Sequence, residues 1–64
     1  MNVKFLKITS AEVDTGGEIV DRTFYCNETL LNVQVDRISS NYSNIFLEKG
    51  EIVLVVPNNT YQVI

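Results

Sequence analysis

The chain holds one thiol, Cys26, no histidine, and carboxylates that gather only around a glycine pair: Glu12, Asp14 and Glu18 beside Gly16-Gly17. A nucleophilic cysteine needs a base to take its proton, and histidine, the commonest one, is missing. Cys26 closes an apolar segment with no base beside it in sequence, so the expected role is a buried structural thiol. One cysteine without histidine also excludes an internal disulfide and, on ligand count, a structural zinc site. Glu12, Asp14 and Glu18 lack EF-hand spacing and read as a solvated turn. Gly16-Gly17 is no phosphate loop, because the Gly-x-x-x-x-Gly-Lys pattern is absent and no helix follows. No catalytic residue, metal or cofactor is expected, and the chain reads as non-enzymatic.

Binding chemistry has two candidate sources. Lys4, Lys7, Arg22 and Arg37 lie near Phe5, Phe24 and Tyr25, a set with which an OB-like fold stacks single-stranded nucleic acid. The net charge of −3, from eight acidic and five basic residues, opposes that reading and leaves it as the alternative. The second source is the run Ile52-Val53-Leu54-Val55-Val56, which has no polar residue to face water. In a strand, Ile52, Leu54 and Val56 share one face and Val53 and Val55 the other. One face belongs to the chain's own core, built from Phe5, Val13, Phe24, Val33 and Ile45. The other needs a cover, worth on the order of 3–5 kcal/mol for two valines. Val53 and Val55 are therefore candidate interaction residues, together with Tyr42 and Tyr61, tyrosines in polar segments of the type enriched at interfaces. A homodimer or higher closed oligomer that pairs strands or faces through residues 52–56 is expected, with Tyr61 near its rim.

The elements that position these residues are strands. Asn44 to Pro57 is a hairpin, two β-branched runs about Glu48-Lys49-Gly50, closed by Pro57. A loop of Lys49-Gly50 alone sets Glu48 against Glu51, so a three-residue loop with Phe46 opposite Ile52 is expected. Asn2 to Cys26 reads as a longer hairpin about Gly16-Gly17, a type I′ turn with both glycines at positive φ. It sets Val13 opposite Val20 and Ile8 opposite Tyr25, with Phe5, Ala11, Val13, Val20, Phe24 and Cys26 on one face. It also opposes Glu12 and Asp21, a like-charge pair that argues for a bulge. Asn27 to Thr29 is a turn or one helical turn capped by Asn27, and Leu30 to Ile38 is a strand or short helix. Ser39 to Asn44 is a loop, Pro57-Asn58-Asn59 a turn, and Tyr61 to Ile64 a last short strand. The sum is one all-β domain over 1–64, a small antiparallel sheet of four to six strands curled into an SH3-like or OB-like half-barrel.

From residue 24 to 63 the pattern resembles the small FlbD/SwrD-type flagellar-operon proteins. The matching positions are Phe24-Tyr25-Cys26-Asn27, Leu30-Leu31, Ile45-Phe46-Leu47, Gly50 and Val53 to Val56. The resemblance implies a β-sheet and a flagellar accessory role. The Pro57-Asn58-Asn59 turn stands where that family begins a C-terminal helix. Short phage or mobile-element β proteins are similar in size and asparagine content.

Composition sets the class. At 45% hydrophobic, with one proline and three glycines, the chain reads as globular. Sixty-four residues leave little margin between hydrophobic gain and ordering entropy, which favours a partner. No secretory core follows Met1 and no segment approaches a membrane span, so a cytoplasmic protein without membrane contact is expected. Asn-x-Ser/Thr triplets at Asn27, Asn41 and Asn58 read as chance among seven asparagines. The expected function is a small protein–protein interaction module, a regulator or inhibitor of one protein target.

Overall fold

A computed structural model describes the backbone of residues 1–64 and every side chain except that of Glu48. The alternation of Thr9 to Asp14, buried at every odd position, makes a strand with one wet face. The same logic runs through eight strands: β1 (Val3–Phe5), β2 (Thr9–Asp14), β3 (Ile19–Phe24), β4 (Thr29–Leu30), β5 (Gln34–Arg37), β6 (Tyr42–Leu47), β7 (Ile52–Pro57) and β8 (Tyr61–Val63). Short 3₁₀ turns lie at Glu48–Gly50 and Asn58–Thr60, and no α-helix forms among the described residues.

The strands make two antiparallel sheets rather than the single sheet of four to six strands expected. One has the order β4-β1-β8 and the other β3-β2-β7-β6-β5, with no closed barrel. The N-terminal segment is not one long strand. It breaks at Leu6 to Ile8, so that β1 serves the small sheet and β2 the large one. The segment Leu30 to Ile38, expected as a strand or a short helix, is extended but splits around Asn32, at φ 56°, which sends β4 and β5 to different sheets. Asn27, at φ 70°, turns the chain without starting a helix.

Both sheets turn one face to a shared core. Val3 and Phe5 come from the small sheet, and Ala11, Val13, Phe24, Ile45, Leu54 and Val56 from the large one, with Val33 between β4 and β5. The rings of Phe5 and Phe24 stack at 4.7 Å and tie the sheets together. A polar chain ties them a second time. Tyr61 Oη of β8 donates to Ser43 Oγ of β6 at 2.7 Å, Ser43 Oγ donates to Asn58 Oδ1, and Asn58 Nδ2 donates to the Ser39 carbonyl at 2.9 Å.

One register departs from the expected one, and one expected bulge is absent. The β6–β7 ladder pairs Phe46 with Val53 and ends at Leu47 with Ile52, one step away from Phe46 opposite Ile52. This is the register that Lys49-Gly50 alone would give, with Lys49 at φ 58° and Gly50 at φ 93°. The step is decided by the core. It sets Ile45 opposite Leu54, whereas the other register sets Asn44 there, and one residue of slip exchanges the faces of a strand. The β2–β3 ladder runs without a bulge from Thr9–Phe24 to Asp14–Ile19, including Glu12 opposite Asp21 and the expected Val13–Val20 pair. Ile8 and Tyr25 lie beyond it. Of the two glycines only Gly16 has positive φ, at 92°, so the turn is not the expected type I′.

Candidate interaction surface

The five-stranded sheet has a second face, on the side away from the shared core. It follows from the ladders which residues stand there. Val53 lies between Asp14 and Phe46, and Val55 between Glu12 and Asn44. Glu12 faces Asp21 at one edge, Asn44 faces Asp36 at the other, and Tyr42 pairs with Pro57. Because residues opposite each other in a ladder point to the same side, these side chains form one surface. Val53, Val55, Phe46 and Pro57 are half-buried there, while Tyr42 keeps 49% of its surface exposed and Ile38 53%. β7 is the central strand of the sheet, so it offers this face and not an edge. Of the two expected modes of association through residues 52–56, strand pairing therefore has no open edge to use.

A groove of about 520 Å³ opens on this face. Glu12 and Asp21 line one side, Ile38 and Tyr42 the other, and Val55 and Pro57 lie between them. The structure thus brings together three of the four sequence candidates, Val53, Val55 and Tyr42. Tyr42 opens β6 and does not sit in a loop, since Ser39 Oγ accepts from the Asn41 and Tyr42 amides and closes the turn before it. The fourth candidate, Tyr61, stands apart in β8, half-buried, with its hydroxyl held by Ser43.

The face is also electrically one-sided. Glu12, Asp14, Asp21 and Asp36 stand on it, and among the described residues no lysine or arginine of its strands points to it. Lys4 belongs to the small sheet, Lys7 to the β1–β2 link and Lys49 to the β6–β7 turn. Arg22 and Arg37 pair with Ala11 and Ser43, which point inward. The carboxylates were not singled out from the sequence as parts of an interface. The alternation of β2 set Glu12 outward, but only the strand order placed Val55 beside it.

Other candidates resolve differently. Cys26 is exposed, not buried, and its Sγ donates to the Leu6 carbonyl at 3.3 Å. β3 ends at Phe24, and the turn through Asn27 carries the thiol off the core face. Val20 is likewise 42% exposed, because β3 is an edge strand that overhangs the core. Phe5 and Phe24 are fully buried, so neither ring is presented to a nucleic-acid base. The Arg22 guanidinium lies 4.6 Å from the Phe24 ring centre and 3.3 Å from Glu28 Oε2. Among the described residues, no three acidic or thiol side chains converge as a metal site, and no helix is long and apolar enough to cross a membrane. Compared with known proteins, the chain matches no family model, no curated protein and no solved structure.

Proposed function

We propose that this protein is a non-enzymatic interaction module, a regulator or inhibitor that engages one protein target through the outer face of its five-stranded sheet. The observation that carries this reading is the row of Val53, Val55, Phe46 and Tyr42, which the ladders place on the side of the sheet away from the core and which stays half-buried to exposed. A soluble domain of this size gains little by leaving such a row against water unless a partner removes it. The two sheets folded over one core are read as the SH3-like or OB-like half-barrel that presents it. The exposed free thiol of Cys26 fits a reducing compartment, the cytoplasm.

The test is affinity capture from the native host with the wild type and with Val53→Glu and Val55→Glu, each first shown to fold by circular dichroism. The expected result is one protein retained by the wild type and lost from both variants. Equal capture by all three would remove this face from the function. Binding of single-stranded oligonucleotides that weakens steeply with salt would replace the reading with the nucleic-acid alternative.

A further inference from the structure

The composition of the outer face identifies the chemistry of its occupant. Glu12, Asp14, Asp21 and Asp36 stand on it, no strand residue of it is cationic, and Lys49 borders only its far end, beside Phe46. Four carboxylates thus stand on the one sheet face that is also apolar at its centre. Glu12 and Asp21 are moreover directly opposite each other in the ladder, an arrangement that works against the fold. A second copy docked face to face would bring two such sets of carboxylates together with no counter-charge. An anionic partner, whether nucleic acid or acidic lipid, meets the same repulsion.

We propose that the occupant is a cationic segment of a protein partner, and that the groove receives one of its arginine or lysine side chains. This deepens the function proposed above and rests on it. The methylene stem lies over Val55 and Pro57, where apolar surface is available, and the charged head reaches Glu12 and Asp21. The Tyr42 ring forms the opposite wall and offers its face to the same cation. Val53 and Phe46 receive apolar residues of the segment further along the sheet. Glu12 and Asp21 then share a counter-charge in the complex that they lack in the free protein.

The experiment is selection from a random peptide library displayed on phage, against the wild type and against the double variant Glu12→Gln/Asp21→Asn. Selected peptides are then measured by fluorescence anisotropy at low and moderate salt. Sedimentation equilibrium of the free protein precedes it. The expected peptides carry Lys or Arg among apolar residues and lose affinity in Val55→Glu. Loss of either carboxylate weakens them by about two- to fivefold, and by more at low salt than at moderate salt. The same Glu12→Gln/Asp21→Asn change raises the melting temperature of the free protein, because it removes a like-charge pair. A gain in stability with a loss in binding separates a binding role from damage to the fold.

Neutral or acidic peptides that still depend on Val55 and Tyr42 would overturn the cationic occupant and leave the interaction face standing. Binders indifferent to Val53, Val55 and Tyr42 would overturn both. A dimer in the free protein that Val55→Glu dissociates would assign the face to a second copy and overturn the cationic partner.

Discussion

The hydroxyl chain between the sheets makes a quantitative prediction. Ser43 Oγ is fully buried, accepts from Tyr61 Oη at 2.7 Å and donates to Asn58 Oδ1. Tyr61→Phe removes one hydrogen bond but leaves Ser43 its donation to Asn58, so its cost is that of a net hydrogen bond, about 0.5–1.5 kcal/mol. Ser43→Ala removes a smaller group and costs more. It strands both the tyrosine hydroxyl and the Asn58 carbonyl, at about 1–3 kcal/mol for each group left without a partner, moderated because Tyr61 and Asn58 are only half-buried. In a domain of this size that lowers the melting temperature by roughly 5–15 °C. Once Ser43 is alanine, Tyr61→Phe removes a stranded hydroxyl and costs little. The double variant should fall short of the sum of the singles by about 0.5–3 kcal/mol. Urea denaturation of the four proteins, followed by tyrosine fluorescence or circular dichroism, measures the cycle. Additivity within about 0.3 kcal/mol, or a larger loss in Tyr61→Phe than in Ser43→Ala, would refute the network as the tie between the sheets.

Leu54 lies at the centre of the core with 1% exposure, and Leu54→Ala should cost about 2–5 kcal/mol, comparable to the whole stability of a small domain. Its circular dichroism at 25 °C should be largely that of an unfolded chain, whereas Val53→Ala, on the outer face, remains folded. The two glycines of the first turn should respond with opposite signs in thermal melts, although an added Cβ meets nothing within 4 Å at either. Gly16→Ala, forced to φ 92°, destabilises by about 1–2 kcal/mol, and Gly17→Ala stabilises by about 0.4–1 kcal/mol through the unfolded state. Cys26 should react with iodoacetamide in the folded protein at a rate close to that of the unfolded chain. Protection of the thiol would contradict its exposure in the turn after β3.

Much of this architecture is local and therefore legible in the sequence. Strand type follows from alternation at Thr9 to Asp14 and from β-branched residues at Ile52 to Val56. The places of the turns follow from Gly16-Gly17, Glu48-Lys49-Gly50 and Pro57, whose backbone preferences act without reference to the rest of the chain. That Val53 and Val55 share a face apart from Leu54 and Val56 follows from the period of a strand alone. Register followed in the first hairpin, from Gly16-Gly17, but not in the second. In the β6–β7 hairpin the observed ladder runs toward like-charge opposition before Glu51, because the alternative would displace the buried Ile45–Leu54 pair. A like-charge pair in water costs about 0.2–1 kcal/mol, whereas burying one Leu or Ile contributes about 1.5–3 kcal/mol. The larger quantity is a property of the tertiary core and wins. The division into two sheets, the exposure of Cys26, the inward use of Tyr61 and the central place of β7 are likewise set by non-neighbouring segments. So is the acidic outer face. Glu12, Asp21, Asp36 and Val55 come from four strands, and only the order β3-β2-β7-β6-β5 brings them onto one surface.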